Sequence, residues 1–357
     1  MEKTNVYEKE VGDIMLCVLI MAGGIGSRFW PQSTENIPKQ FLKLLGDKSM
    51  IQMTYDRMRK ITSSENIFIV TNKKYVDLIK EHINGIEDKN IICEPCSKNT
   101  APCILLSALY LKQLYDETNV ICVSSDSYIG KEDEFIDRIK IANDFVTKKK
   151  EAIVTLGINP TRPETAYGYI KYEKGDSVPN KVVSFVEKPN LEIARNYFLS
   201  KEYLWNAGMF IYNNNFMLEE IKNNLPNEYN LLKDLPSITD SNYNSFLDEN
   251  YEKCTKISID YAVMEKSKNV YAIPSDINWD DVGSWKALER YTNKDSDGNV
   301  IKGDTKVINS HNNVIYGNGK KIVLLNVDDL FCIDSNDVIV IGKKEDLGMV
   351  HELRDKI

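Results

Sequence analysis

The sequence predicts an α/β protein whose mostly parallel, Rossmann-like sheet has helices on both faces and is followed by a small unit of short β-strands. Three observations lead to this prediction. An unbroken apolar run at residues 14–22 ends in the glycine-rich sequence GGIG. Strand-like runs and amphipathic helical stretches then alternate as far as residue 157. From about residue 293, short β-like segments alternate with turns rich in Gly, Asn and Asp.

The apolar run is typical of a buried parallel strand, and the glycines after it indicate a strand-to-helix turn. Gly23, Gly24 and Gly26 leave backbone amides uncovered, and such amides can bind phosphate oxygens. Arg28 and Lys39 add positive charge in the same segment. The segment therefore predicts a phosphate site, although a tight turn without a ligand would also explain a lone glycine turn.

The alternating stretches that follow indicate βαβ units. Strands are expected at residues 67–71, 91–93, 120–123 and 152–157, and helices at residues 73–84, 101–115 and 132–148. Ligands of such sheets collect at the carboxyl ends of the strands. The loops after residues 22, 93 and 123 are therefore expected to contribute to the site.

The chain divides into three parts by this pattern. Residues 1–13 are polar and are expected to form a flexible arm, and residues 14–292 form the main domain. Residues 293–357 are expected to form a small β-helical or β-roll domain, in which no chemistry is visible. At 357 residues, the chain is long enough for one large domain plus an appendage.

Charge and hydropathy exclude some classes of partner. The net charge of −8 does not predict binding to nucleic acid or to an anionic membrane surface, both of which attract proteins with excess positive charge. The longest apolar run, residues 14–22, is too short to cross a bilayer, and the acidic residues before it are a poor start for a signal peptide. We therefore expect a cytoplasmic protein that binds neither nucleic acid nor membrane.

The seven cysteines are scattered along the chain. Cys17 and Cys122 lie in apolar runs, where a reduced, buried thiol is typical of an intracellular protein. Cys93 and Cys96 form a C-x-x-C pair, but none of the three histidines is spaced as a partner, so zinc is not expected. The lack of histidine clusters also disfavours a Ser/His or Cys/His nucleophile.

The glycine-rich segment can be compared with named phosphate-binding motifs. A dinucleotide fingerprint needs a third glycine three residues after Gly26, where Phe29 stands, and this argues against a nicotinamide oxidoreductase. A Walker loop needs Gly-Lys-Ser/Thr, which is absent. What remains is G-G-x-G-x-R-x-x-P followed by P-K-Q-F, which resembles the signature of the sugar-1-phosphate nucleotidyltransferases. The FWP and PKQF details are most similar to the mannose-1-phosphate guanylyltransferases.

Further motifs extend this resemblance over nearly all of residues 14–357. The loop EPCSKNTAP is similar to a family segment beside the base pocket, whereas its simpler interpretation is a pair of N-cap residues before a helix. The segments AYGYI, FVEKP and WNAGMF resemble the family's sugar-binding motifs. A Glu-Lys pair such as that in FVEKP is otherwise typical of a solvated surface.

Two aspartates follow strand-like runs. Asp126 comes directly after the buried run that ends in VICVSS, and Asp281 belongs to WDDVGSW. Aspartates at such places commonly cap helices or form turns. The family's W-x-D-x-G pattern selects Asp281 rather than Asp280, and the resemblance implies that Asp126 and Asp281 hold Mg²⁺. Asp260, in the segment SIDYAVM, could face the sugar pocket or simply begin a helix.

The resemblance also implies the reaction and the site residues. GTP and mannose 1-phosphate would react by in-line attack on the α-phosphate, giving GDP-mannose and pyrophosphate. The implied catalytic residues are Arg28, Lys39, Asp126 and Asp281. The implied nucleotide-binding residues are Ala22, Gly23, Gly24, Gly26, Ser27, Arg28, Lys39, Glu94, Asn99 and Thr100. The implied sugar-phosphate-binding residues are Gly168, Glu187, Lys188 and Asn206. A homodimer is expected.

Four residues in or beside these motifs depart from the family pattern: Ser97, Lys98, Ser127 and Ala166. Two alternatives therefore stay open. One is the same chemistry on another sugar 1-phosphate, of the heptose or glucose type. The other is a non-catalytic, regulatory homologue that binds a nucleotide sugar. Retention of the charged residues of the motifs favours an active enzyme over the second alternative.

Overall fold

A computed structural model describes residues 14–356, and the arm predicted for residues 1–13 lies outside them. The strands are, in chain order, β1 (Met15–Ala22), β2 (Ile67–Asn72), β3 (Ile91–Glu94), β4 (Thr118–Ser124), β5 (Tyr128–Ile129), β6 (Ile153–Ile158), β7 (Tyr169–Tyr172), β8 (Asn180–Val186), β9 (Tyr203–Asn213), β10 (Val270–Ser275), β11 (Trp279–Asp280), β12 (Val300–Lys302), β13 (Thr305–Ile308), β14 (Val314–Tyr316), β15 (Ile322–Leu325), β16 (Leu330–Asp334) and β17 (Ile339–Lys343).

Helices connect most of the longer strands. The α-helices are α1 (Met50–Met58), α2 (Val76–His82), α3 (Thr100–Leu114), α4 (Glu132–Lys148), α5 (Leu191–Ser200), α6 (Asn214–Asn224), α7 (Pro226–Leu232), α8 (Tyr243–Asn250) and α9 (Trp285–Leu288). The 3₁₀ helices are Ser27–Phe29, Lys39–Phe41, Ser64–Asn66, Lys73–Tyr75, Asp88–Asn90, Tyr251–Lys253, Glu289–Tyr291 and Lys344–Lys356, and Asp260–Met264 is a π-helix. Between residues 14 and 356, none of the helices has the length and apolar character that a bilayer crossing requires.

The central element is a nine-stranded sheet with the order β3-β2-β1-β4-β9-β6-β10-β8-β7. The first four of these strands are parallel, as predicted, and β1 lies inside them, with Val18 opposite Ile67 on one side and Ile121 on the other. Residues 17–20 of β1 are completely buried. This explains the unbroken apolar run, because a strand with helices on both faces has no solvent-facing side.

The rest of the large sheet is mixed, so the prediction of a mostly parallel sheet is wrong for this half. Strand β9 runs antiparallel to both β4 and β6, and β8 runs antiparallel to β7 and β10. The seven residues 173–179 between β7 and β8 are too few for a parallel crossover. The apolar pattern of β9 marks a buried strand but carries no information on its direction.

The predicted elements up to residue 157 are confirmed in type. Strands β2, β3, β4 and β6 and helices α3 and α4 lie within three residues of their predicted bounds. The helix predicted at residues 73–84 begins instead as a 3₁₀ turn, where Asn72 Oδ1 accepts a hydrogen bond from Lys74 N, and becomes α-helical at Val76. One apolar core packs α1, α2 and α4 on one face of the sheet, and another packs α3, α6 and α7 on the other face.

The last strands form two smaller sheets. Strands β12, β14 and β16 are parallel neighbours, β17 pairs antiparallel with β16, and β13 pairs in parallel with β15. Buried side chains of β14, β15 and β16 form a small apolar cluster. Short strands therefore follow residue 293, as predicted.

A shared apolar core joins these short strands to the glycine-rich segment. Phe29 and Trp285 meet edge to face with ring centroids 5.1 Å apart, and Trp285 lies 4.8 Å from the Tyr316 ring on β14. Trp285 Nε1 also donates a hydrogen bond to Trp30 O over 3.0 Å. All three rings of this group are at most 1 % exposed. The segment that carries Arg28 is therefore packed against the C-terminal strands.

We expect Trp285→Ala to lower the free energy of unfolding by about 3–5 kcal/mol, because removing a buried indole leaves a cavity in this core. Urea unfolding followed by circular dichroism measures the change. The matched control is Ile341→Ala, whose side chain is 67 % exposed and should change stability by about 0.5 kcal/mol or less. Similar destabilisation by both variants would contradict this account of the core.

Candidate active site

A cleft of about 310 Å³ opens beside the glycine-rich segment. Its walls come from the 3₁₀ turns at Ser27–Phe29 and Lys39–Phe41, the loop after β4, the segments directly before β7 and after β8, strand β9, the start of the π-helix, and residues 279–283. The residues predicted from the sequence that line it are Gly26, Arg28, Lys39, Asp126, Gly168, Glu187, Lys188, Asn206 and Asp281. The structure thus brings the predicted phosphate, metal and sugar residues into one cavity.

Other predicted residues do not line this cleft. They are Ala22, Gly23, Gly24, Ser27, Glu94, Asn99 and Thr100, and their nucleotide-binding roles stay predictions. Asn99 caps α3, since its Oδ1 accepts a hydrogen bond from Thr100 N over 2.8 Å. Thr100 Oγ1 accepts one from Ile259 N over 2.8 Å. Both polar side chains therefore have structural partners in the protein.

Gly26 closes the glycine-rich segment onto Lys39. Its φ of +68° lies in the left-handed region, and a Cβ atom there would come within 2.3 Å of Lys39 Cβ. Only glycine allows both this backbone and this approach. Lys39 N donates to Ile25 O over 3.1 Å, which fixes the two chain segments side by side.

Lys39 connects the two aspartates. Its Nζ forms an ion pair with Asp126 Oδ2 at 2.9 Å and donates to the backbone oxygens of Asp126 at 3.2 Å and Asp281 at 2.6 Å. Lys39 is only 5 % exposed. A buried ammonium is stable only if its donors are satisfied, so these partners fix the positions of both turns.

A hydrogen bond holds one oxygen of the Asp281 carboxylate, and the carboxylate lies near Arg28. Tyr167 OH donates to Asp281 Oδ1 over 3.0 Å. A Cβ atom built on Gly283 would come within 2.8 Å of Asp281 Oδ2 and 3.1 Å of Arg28 Nη1, so the carboxylate and the guanidinium converge at this glycine. Burial raises the pKa of the Asp281 carboxyl, whereas Lys39 and the bond from Tyr167 oppose that effect.

Asp280, in contrast, is part of the scaffold. It is 1 % exposed, and its Oδ2 accepts hydrogen bonds from Arg290 Nη2 at 2.5 Å and Tyr291 OH at 3.0 Å. Its Oδ1 accepts one from Val282 N at 2.7 Å. Val282 has φ +45°, a strained value for a β-branched residue. Asp280 therefore stabilises the strained turn that presents Asp281.

Tyr167 is a site residue that the motif analysis missed. Its ring meets those of Trp205 and Trp279 edge to face, with centroids 5.2 and 5.1 Å away. Burial raises the pKa of Tyr167 far above its ordinary value, so the phenol acts as a hydrogen-bond donor to Asp281. The tyrosine next to the glycine in AYGYI was the available signal. Ser127, one of the four departures from the family pattern, also lines the cleft and hydrogen-bonds to Ser124 over 2.7 Å.

The sugar motifs meet around Gly168. A Cβ atom on this residue would come within 2.7 Å of Glu187 Oε2, so a larger side chain would displace the glutamate. Asn206 N donates to Gly168 O over 2.8 Å. Lys188 Nζ forms an ion pair with Glu187 Oε1, and its φ of +44° is unusual for a residue other than glycine. Strained residues of this kind are concentrated at ligand sites.

Glu94 lies behind the glycine-rich turn. It is 4 % exposed, its Oε1 accepts a hydrogen bond from Tyr251 OH, and its Oε2 would be 3.1 Å from a Cβ atom on Gly23. Burial raises the pKa of the Glu94 carboxyl to about 7. The carboxyl is therefore partly protonated at neutral pH.

Both residues predicted to hold a metal ion, Asp126 and Asp281, line the cleft. No group of three or more His, Cys, Asp or Glu side chains suited to a metal occurs within residues 14–356. Mg²⁺ commonly binds one or two carboxylates and completes its shell with water and substrate phosphates. The pair therefore fits a magnesium ion that arrives with a nucleotide.

Comparisons with known proteins give a family for the chain. Residues 17–298 match a family model described as nucleotidyl transferase. The chain is 36 % identical over 359 residues to the mannose-1-phosphate guanylyltransferase 2 of Escherichia coli O157:H7, covering 96 % of this chain and 73 % of that protein. It is also 36 % identical to the mannose-1-phosphate guanylyltransferase of Salmonella montevideo, over 96 % of this chain and 74 % of that one.

A solved structure agrees with these relatives. The crystal structure of a Thermus thermophilus protein, named mannose-1-phosphate geranyltransferase, superposes with a TM-score of 0.85 and 30 % sequence identity. The match covers 96 % of this chain and 99 % of that one. The similarity therefore includes the short C-terminal strands as well as the large sheet.

The two neighbouring aspartates should give different phenotypes. Asp280→Asn should lower the free energy of unfolding by about 2 kcal/mol, because it removes the charge of a buried carboxylate that accepts hydrogen bonds from Arg290 and Tyr291. Asp281→Asn should change stability much less but abolish Mn²⁺ binding in the presence of a nucleoside triphosphate, measured by electron paramagnetic resonance. Loss of Mn²⁺ binding in a stable Asp280→Asn protein, with binding retained in Asp281→Asn, would reverse the two roles.

Glu94 should make stability depend on pH. Between pH 4.5 and about 7 the unfolded chain loses this proton while the folded protein keeps it, so stability falls as pH rises through that window. Glu94→Gln removes this contribution. The free energy of unfolding of the variant minus that of the original protein should rise by about 2 kcal/mol from pH 5 to pH 8. Urea unfolding at each pH measures this difference. The same difference at both pH values would contradict the raised pKa.

Proposed function

The chain belongs to the nucleotidyl transferase family, and we propose that it transfers GMP from GTP to mannose 1-phosphate, giving GDP-mannose and pyrophosphate. The observation that carries this proposal is the single cleft that contains Arg28, Lys39, Asp126 and Asp281 together with Glu187, Lys188 and Asn206. Phosphate-binding and hydroxyl-binding groups are thus within one cavity. The names of the relatives supply the identity of the base and of the sugar.

The reaction is an in-line displacement at phosphorus. A phosphate oxygen of mannose 1-phosphate forms a bond to the α-phosphorus of GTP. The bond from that phosphorus to the oxygen bridging the α- and β-phosphates breaks, and pyrophosphate leaves with the electron pair. No covalent bond to the protein is needed, so catalysis consists of positioning the reactants and neutralising charge.

The cationic residues have distinct tasks in this scheme. Arg28, which is exposed in the cleft and lies beside Asp281, neutralises charge on the triphosphate. Lys39 keeps the two aspartate turns together and adds positive charge next to them. Lys188 binds the phosphate of the incoming sugar.

Mg²⁺ is the cofactor we propose, held by Asp126 and Asp281. When bound, it would supply charge neutralisation for the phosphate oxygens. The proposal is supported by the carboxylate oxygens of both residues in the cleft, since oxygen ligands are those that Mg²⁺ prefers. Tyr167 restrains Asp281 Oδ1 and so limits the orientations that this carboxylate can adopt.

The two parts of the chain have different roles in this proposal. We propose that residues 14–292 form the nucleotidyltransferase domain and that residues 293–357 form a β-helical domain that contributes to a homodimer. The parallel pairing of β12, β14 and β16 supports the β-helical form of this unit. We also propose a cytoplasmic location, which is supported by the unpaired state of all seven cysteines.

Pyrophosphate release tests the function. The protein should use GTP with mannose 1-phosphate, prefer GTP over UTP and dTTP by a wide margin, and prefer mannose 1-phosphate over glucose 1-phosphate by a narrower one. The wide margin is expected because a pocket that hydrogen-bonds one base leaves polar groups unpaired with another. Turnover of a heptose or glucose 1-phosphate instead would support the alternative substrate. Binding of GDP-mannose without turnover of any pair would support the regulatory alternative.

A further inference from the structure

The side-chain amide of Asn206 is fixed at both of its polar atoms. Asn206 Oδ1 accepts a hydrogen bond from Gly208 N over 3.0 Å, and Asn206 Nδ2 donates to Asp260 Oδ1 over 2.7 Å. Because the oxygen faces a donor and the nitrogen faces an acceptor, the amide cannot be reversed without losing both bonds. One N–H of Asn206 remains after these bonds are made.

Asp260 is held in an unusual piece of backbone. It is the first residue of the π-helix Asp260–Met264, and Glu265 N donates to Asp260 O over 2.9 Å. The preceding residue, Ile259, donates its N–H to Thr100 Oγ1. π-Helical turns are rare and frequently occur at functional sites. The backbone therefore places the Asp260 side chain in the cleft from a fixed base.

The charges around Asp260 indicate what this part of the cleft can bind. The charged groups that interact with it include Glu187, Lys188 and the exposed Glu265, and both glutamates repel it. Burial raises the pKa of Asp260, and Asn206 opposes this effect by hydrogen bonding. The carboxylates of Asp260 and Glu187 repel a phosphate but accept hydrogen bonds from hydroxyl groups, and the remaining N–H of Asn206 can donate to a hydroxyl oxygen. The ligand group that fits is therefore an uncharged, hydroxyl-rich ring.

We propose that Asp260 determines sugar specificity by accepting a hydrogen bond from one ring hydroxyl of the sugar while it orients the Asn206 amide. The inference rests on the proposed function, because it concerns the sugar 1-phosphate of that reaction. A carboxylate that reads one hydroxyl discriminates against a sugar that lacks this group, since the carboxylate then stays buried without a partner.

The test uses the full chain with mannose 1-phosphate and its 2-, 3-, 4- and 6-deoxy analogues. Asp260→Ala should raise the KM for mannose 1-phosphate by about 10-fold or more and leave the KM for GTP within about 2-fold. One of the four analogues lacks the hydroxyl that Asp260 binds. For that analogue, the original protein and Asp260→Ala should have nearly the same KM. A uniform penalty for all analogues, or an equal rise in the KM for GTP, would overturn the proposal.

Asp260→Asn separates binding from orientation. Its side-chain oxygen can still accept the bond from Asn206 Nδ2, but it has lost one acceptor. We expect it to lose the same discrimination as Asp260→Ala. Recovery of the original specificity by Asp260→Asn would show that Asp260 acts only through Asn206, and this would overturn direct binding. The matched control is Asp248→Asn, which removes an exposed carboxylate on α8 that does not line the cleft and should behave like the original protein.

Calorimetry distinguishes failure of this inference from failure of the proposed function. GDP-mannose and GDP share their nucleotide part. The dissociation constant of GDP divided by that of GDP-mannose therefore measures the contribution of the sugar. Asp260→Ala should reduce this ratio by about 10-fold through weaker binding of GDP-mannose alone. An unchanged ratio would overturn the inference even if the original protein is active. An inactive original protein whose ratio changes in the variant would overturn only the proposed reaction.

Discussion

The cleft depends on one buried ammonium group. Lys39 Nζ contacts both aspartate turns, which are more than 150 residues apart in the chain. An unpaired ammonium in this place would cost several kcal/mol, so the loop after β4 and the turn after β11 must both approach Lys39 for the fold to be stable. The same contacts hold the Asp126 carboxylate and the backbone of Asp281 to one ammonium group. Stability and the geometry of the proposed metal site therefore have the same origin.

Close approach is the second constraint on this site. Gly283 leaves room for Arg28 and Asp281 to converge, and Gly168 leaves room for Glu187. Neither arrangement tolerates a methyl group without displacing a charged side chain. On the outer side, Phe29 and Trp285 pack against Tyr316, so the C-terminal strands support the segment that carries Arg28. Rigidity around the charges comes from packing on both sides of the cleft.

Sequence patterns predicted the parallel half of the sheet because buried strands have unbroken apolar runs, and they predicted most of the cleft because its residues belong to compact motifs. They could not predict the direction of β9, which depends on pairing partners distant in the chain. They also missed Tyr167 and the contacts of Asp280. Tyr167 contacts Asp281, and Asp280 contacts Arg290. The spacing of residues within a motif does not predict contacts with other segments.

The two lysines of the cleft differ in whether a substrate phosphate can replace the groups that they contact. The Lys39 side chain is 6 % exposed, and two of its partners are backbone oxygens, so it stays held between the two turns. The Lys188 side chain is 62 % exposed and is paired with the adjacent Glu187. An exposed pair of this kind contributes about 1 kcal/mol or less, so a sugar phosphate can displace it at little cost. Displacement would release the Glu187 carboxylate to accept a sugar hydroxyl, which couples recognition of the phosphate to recognition of the ring.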